Sequence, residues 1–93
     1  MIVVDASVLA TALGDDGADG DRARARLTGQ RLAAPELIDL EVASVWRGAV
    51  RAGRMSAGRA SQALGDLDLV PLGRAPHAPL MSRVWELRDD LDL

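Results

Sequence analysis

Ile2-Val3-Val4 is the stretch that most narrows what this chain can become, because three β-branched residues in a row leave no polar face for water. Such a run fits a strand buried on both faces, the kind found in parallel sheets, rather than the alternating pattern of a half-exposed strand. It stops at Asp5, and apolar residues resume at Val8 and Leu9. In open α/β sheets, sites are built at the carboxyl ends of the strands. Asp5 therefore reads in two ways: as the cap of a following helix, or as a carboxylate at the sheet edge that reaches water or a metal. Ser7 can cap the same helix or contact the same site.

A chain of 93 residues with 48% apolar composition suffices for one small domain. Its core must be aliphatic, since Trp46 and Trp85 are the only aromatic residues. The absence of Cys excludes disulfides and thiolate metal sites. All eleven basic residues are Arg, and a net charge of −3 argues against a strongly basic nucleic-acid groove. It does not exclude an enzyme that holds a phosphate backbone through bound cations. No signal-peptide pattern opens the chain, and no stretch approaches the roughly 20 apolar residues of a membrane span. The expectation is a soluble protein of the cytoplasm, with no membrane partner.

The rest of the chain alternates. Ala6 to Leu13 predicts a first helix, ended by three Gly and three Asp within residues 14–20. That cluster lacks the spacing of a calcium loop and reads as a solvated turn. Asp21 to Leu27 predicts a second helix and Arg31 to Ala34 a second strand, with Pro35 at a natural first helical position. Residues 36–52 carry the strongest helical signal, with Leu37, Leu40, Trp46 and Val50 stepping at helical intervals and Ile38, Val42, Val45 and Ala49 widening the stripe. A wide stripe predicts burial on more than one side, against a sheet and a partner, the partner being a second copy in a homodimer or another chain's amphipathic helix. Ser56 predicts a cap for a fourth helix, Leu69 to Leu72 a third strand, Gly73 to His77 a loop, and Pro79 the start of a last helix. His77, between two prolines, reads as a cap or surface residue. The order β-α-α-β-α-α-β-α predicts an α/β fold with a parallel sheet.

Glu41 stands inside the long helix with Leu37, Ile38, Ser44 and Val45 one turn away. A carboxylate so flanked either reaches water from the margin of the stripe or requires a partner, a proton or a metal. Right-handed crossovers bring strand carboxyl ends to one edge, so Asp5 and Glu41 are expected to converge there. Convergent carboxylates without His or Cys form a hard oxygen site suited to Mg²⁺ or Mn²⁺. The matching chemistry is metal-assisted phosphodiester hydrolysis.

Met1-Ile2-Val3-Val4-Asp5-Ala6-Ser7-Val8-Leu9 resembles the opening of PIN-domain proteins, especially VapC-type toxins of bacterial toxin–antitoxin pairs. Ala34-Pro35-Glu36-Leu37-Ile38-Asp39-Leu40-Glu41-Val42 resembles the family's second acidic motif, and Trp85-Glu86-Leu87-Arg88-Asp89-Asp90-Leu91 the helix leading to its third. The resemblance covers essentially the whole chain. It implies a PIN-like three-layer α/β/α fold with a parallel sheet, and a Mg²⁺-dependent (or Mn²⁺-dependent) endoribonuclease inhibited by a VapB-type antitoxin. It assigns Asp5 and Glu41 as catalytic metal ligands and Ser7 as an accessory polar group. In the family, a Tyr-Asp-Ala-type segment supplies a third acid, and a fourth acid and a last strand come later. The chain reaches Leu93 before them, so residues 1–93 read as a single PIN-like domain incomplete at its C-terminus. Asp92 lies near that region but does not align with the third acid. Two carboxylates hold Mg²⁺ more weakly than three or four. An inactive module that only binds an antitoxin or itself is therefore the alternative. A response-regulator-like domain ranks last, since it needs an acidic pair after strand one and an Asp after strand three.

Overall fold

The computed structural model describes residues 1–76, 82–83 and 85–89. Among them the chain runs β1 (Ile2–Val3), α1 (Ala6–Gly14), α2 (Ala18–Leu27), β2 (Leu32–Pro35), α3 (Ile38–Arg51), α4 (Ala57–Leu69) and β3 (Leu72–Ala75). The three strands form one parallel sheet in the order β1-β2-β3, with Val3 opposite Ala33 and Ala33 opposite Gly73. Consecutive strand residues point to opposite faces. Val3 and Val4 are both buried, as are Ala33 and Ala34, so the sheet is covered on both sides at β1 and β2. This is the burial that the apolar run at the start of the chain requires.

One face carries the main core. Val4, Ala34 and Leu72 of the strands meet Leu9 and Ala10 of α1, Ile38, Val42 and Trp46 of α3, and Ala63 and Leu67 of α4. Ile38, Val42 and Trp46 step by four residues, which lays them along one line of α3. Ala43, Ala49 and Val50 are partly covered, whereas the cap residue Leu37 is 51% exposed, Leu40 70% and Val45 44%. Within the chain α3 is fully buried along one stripe, and the open part of its wide apolar arc is the part expected to meet a partner. The indole N–H of Trp46 donates to the Ala10 carbonyl at 3.2 Å, giving the one buried polar side chain of that stripe a partner.

Several boundaries differ from those read in the sequence. α2 begins at Ala18 rather than Asp21, and Asp19 and Asp21 then lie in its first turn, where the helix dipole favours acidic groups. Pro35 closes β2 instead of opening α3; at the last position of a strand its missing N–H costs little. α4 runs on to Leu69, and Pro71 precedes β3, so the third strand is Leu72–Ala75 and the predicted loop begins only at Pro76. Ser56 caps α4 as expected, accepting from the Arg59 N–H at 3.0 Å. Of the predicted last helix, Leu80, Val84 and Leu91 lie outside the described residues, while Ser82, Arg83, Trp85 and Glu86 are helical.

The end of α1 is held from two sides. Arg24 of α2 donates to the carbonyls of Ala12 and Asp15, both at 2.8 Å. Arg59 of α4 donates to the Leu13 carbonyl at 2.9 Å and forks onto the Asp16 carboxylate at 3.0 and 3.1 Å. These guanidiniums satisfy carbonyls that a helix C-terminus leaves without partners. The same turn passes so close to α2 that a Cβ at Gly20 would meet the Asp15 carbonyl oxygen at 1.8 Å.

Two outcomes are expected. Gly20→Ala, which stabilises an open helix by about 1 kcal/mol, should here lower the unfolding free energy in urea by about 1–3 kcal/mol; a gain in stability would contradict the close approach. The Arg59 guanidinium, by hydrogen bond and charge, holds the Asp16 carboxyl below its ordinary value of 3.8. A depressed carboxylate stabilises the fold above its unfolded value and loses that contribution as pH falls through the folded one. The stability difference between the parent and Asp16→Asn should therefore be flat above roughly pH 5 and vanish in stronger acid; a difference that persists at low pH would show that charge is not its source.

Candidate active site

The backbone at Asp5 is extended (φ −90°, ψ 165°), and the helix begins at the next residue. One carboxylate oxygen, Oδ1, accepts both the Val8 N–H at 2.8 Å and the Ser7 hydroxyl at 2.9 Å. Asp5 is therefore the cap of α1, and Ser7 acts on Asp5 rather than capping independently. The second oxygen, Oδ2, takes no hydrogen bond among the described residues, and Asp5 is half-buried. The two readings of Asp5 are compatible, because the cap uses one oxygen and leaves the other.

Glu41 lies in the first turn of α3, its N–H bonded to the Leu37 carbonyl at 3.1 Å. It is exposed, so of its two readings the one in which it reaches water from the margin of the stripe holds: Ile38 turns inward while Leu37 and Val45 stay open to solvent. Its position follows from topology. β1 and β2 are parallel neighbours, so α1 and α3 both begin at the same sheet edge. Val45, one turn beyond Glu41, lines one cavity with Ala10 and Thr11 of α1. Thr11 in turn lies one turn beyond Ser7 and bonds back to its carbonyl at 2.8 Å. Glu41 thus rides on the side of α3 turned toward α1, one turn nearer the edge where Ser7 and Asp5 stand. No hydrogen bond joins Glu41 to Asp5 or Ser7 among the described residues.

A third carboxylate at this edge, Asp39, was not singled out by the sequence reading. Both its oxygens are taken by Arg74 of β3, Nε to Oδ2 at 2.6 Å and Nη2 to Oδ1 at 2.7 Å. The bond to Asp39 raises the Arg74 pKa above its ordinary value. An Asp in the first turn of a helix was the visible signal; its Arg partner is 35 residues away and has no local signature.

As ligands for a divalent ion, Asp5 Oδ2 and the Glu41 carboxylate are of the right kind. Mg²⁺ prefers oxygen, keeps several waters and is commonly bound through one or two carboxylates. No group of three or more metal-ligating side chains occurs among the described residues. Asp90 and Asp92 lie outside them. Both candidate ligands stand at helix starts, whose positive dipole ends favour anions. A hollow of about 290 Å³ between α1 and α2, lined by Ser7, Val8 and Thr11 together with Arg22, opens beside the Asp5 cap. The larger cavity, about 560 Å³, is lined by Gly14, Asp16, Trp46, Met55 and Arg59 and reaches neither carboxylate.

The fold and its acidic edge define a PIN-like α/β protein. Ribonuclease VapC9 of Mycobacterium tuberculosis and a VapC ribonuclease of Mycobacterium bovis are each 37% identical to it over 91 residues, 98% of this chain and 68% of the relative. Ribonuclease VapC1 of M. tuberculosis is 36% identical over 90 residues, 96% of this chain and 68% of the relative. Ribonuclease VapC3 of the same organism is 34% identical over 92 residues, 99% of this chain and 67% of the relative. No protein-family model matches the chain. The chain belongs to the VapC ribonuclease family.

Capping and charge at Asp5 can be separated. Asn caps a helix as well as Asp does, whereas Ala does not. Asp5→Ala should lose about 0.5–2 kcal/mol of stability and Asp5→Asn much less, measured by chemical denaturation. Equal losses for the two would mean that the negative charge, not the cap, stabilises the start of α1.

Proposed function

We propose that the chain is a toxin ribonuclease that hydrolyses RNA phosphodiester bonds with the help of Mg²⁺ or Mn²⁺, and that a VapB-type antitoxin silences it. The observation that carries this reading is the placement of Asp5 and Glu41 at the starts of α1 and α3 on one edge of the parallel sheet. The names of the relatives, all VapC ribonucleases, support the reaction class.

Asp5 Oδ2 and the Glu41 carboxylate would hold the cation. A bound divalent ion supplies a Lewis acid for a phosphoryl oxygen and lowers the pKa of an attached water. The protein's own share is positioning. The Val8 N–H and the Ser7 hydroxyl fix the Asp5 rotamer through Oδ1 and so set where Oδ2 stands. The first turns of α1 and α3 add positive dipole ends at the edge where a phosphate would lie. An RNA substrate and an antitoxin partner would put the working protein in the cytoplasm. No helix among the described residues is long and apolar enough to cross a membrane.

The exposed Leu37 and Leu40 favour a second reading for part of the surface, a face of α3 that joins a second copy in a homodimer. If the chain only binds a partner, this face alone would matter and the carboxylates would not.

Cleavage of a single-stranded RNA in Mg²⁺ or Mn²⁺ separates the two. The parent should cleave it, and Asp5→Asn and Glu41→Gln should each lose about a hundredfold or more in kcat. Cleavage that survives both substitutions, or that is unaffected by a chelator, would overturn the nuclease reading. Antitoxin binding without any cleavage would establish the binding module instead.

A further inference from the structure

α3 carries Glu41, yet like α2 it starts without a side-chain cap. α1 is capped by the Asp5 side chain and α4 by that of Ser56. The cap residue of α3 is Leu37, which has no side-chain oxygen to offer the first-turn N–H groups. The hold comes from the neighbouring strand. Arg74 grips both oxygens of Asp39 in a planar fork, which fixes direction as well as distance. Beside it the Glu36 N–H donates to the Ala75 carbonyl at 2.9 Å. The start of α3 is thus tied at two points to the end of β3. Glu41 closes that first turn through its N–H, so its pose follows the pose of residues 37–40.

The fork also has a chemical consequence. Asp39 and Glu41 lie in the same turn, and a second unpaired carboxylate there would compete for a cation. With both Asp39 oxygens engaged by Arg74, Glu41 is left as the carboxylate of that turn without an ion-pair partner among the described residues. We infer that Arg74 is a positioning residue: its fork on Asp39 fixes the first turn of α3, and hence Glu41, and withdraws Asp39 from competition for the divalent ion. The inference rests on the reading of Glu41 as a ligand.

The test compares the parent chain with Arg74→Ala, Arg74→Lys and the charge-swapped Asp39→Arg/Arg74→Asp double variant. Three quantities are read: amide hydrogen exchange, Mn²⁺-induced broadening of amide resonances, and single-stranded RNA cleavage. In Arg74→Ala, exchange at Glu41 and Val42 should rise roughly tenfold or more while Ala63 and Leu67 of α4 hold steady. Mn²⁺ broadening should spread to the Asp39 amide, and kcat should fall about ten- to a hundredfold with KM changed by less than about twofold. Arg74→Lys keeps the charge without the fork and should behave like Arg74→Ala. The swapped pair should restore slow exchange at Glu41. Unchanged exchange in Arg74→Ala, a rise shared by α4, or parental behaviour of Arg74→Lys would each overturn the inference. If the parent itself does not cleave RNA, the nuclease reading fails on its own, and the exchange measurements still decide whether Arg74 sets the start of α3.

Discussion

Everything at the sheet edge depends on how α3 seats against α1. Ile38, Val42 and Trp46 form a single buried line, and the Trp46 indole bonds a backbone carbonyl of α1. Among the described residues, in a core of aliphatic side chains, that indole makes the one buried side-chain hydrogen bond, and it sets the register of α3 along α1. Slide α3 by one turn and the Trp46 N–H loses Ala10, a buried donor is stranded, and Glu41 leaves the level of Ser7. The constraint that satisfies a buried N–H is therefore the same one that places a surface carboxylate.

At that edge, the helix starts impose a choice on each acidic residue. A carboxylate near a helix N-terminus is stabilised by the dipole and drawn into capping. Asp5 accepts the cap with one oxygen only, and Asp39 gives both of its oxygens to an Arg. Glu41, with its longer side chain one turn into the helix, does neither. The three acids of this edge thus differ in chemical availability although they differ little in sequence character. Exposure, which at first weakens the case for Glu41, is compatible with its proposed role, since a ligand for a solvent ion must itself meet solvent.

Much of this was legible in the sequence, and the failures have identifiable causes. The Ile-Val-Val run, the caps at Asp5 and Ser56 and the parallel order came from strong local rules about burial, capping and alternation. The strand near residue 70 was misplaced because Leu69-Val70-Pro71-Leu72 is apolar in both helical and extended readings; only the burial of Leu67 in the core shows that the helix runs on. Glu41 was placed among apolar neighbours because a one-dimensional stripe does not say which of its flanks is covered. Leu37, Leu40 and Val45 belong to the stripe by spacing and to the surface by packing. The Asp39–Arg74 fork was invisible because nothing local links residues on a helix and a later strand.

The exclusive use of Arg looks at first like a matter of coding bias, since Lys is absent from the chain. The structure gives it a physical use. Three guanidiniums each meet more than one acceptor in a fixed plane: Arg24 bridges two carbonyls, Arg59 joins a carbonyl to a carboxylate, and Arg74 takes a whole carboxylate. An ammonium is a compact charge on a flexible stem and lacks the planar fork that fixes two acceptors in one plane. With many alanines in the core of the described residues, side-chain volume alone locks few elements together. Here the turn after α1 and the start of α3 are fixed from outside by arginines that reach across from α2, α4 and β3. The fold is consequently held at guanidiniums that are themselves only partly buried, and one of them, Arg74, clamps the helix that carries Glu41.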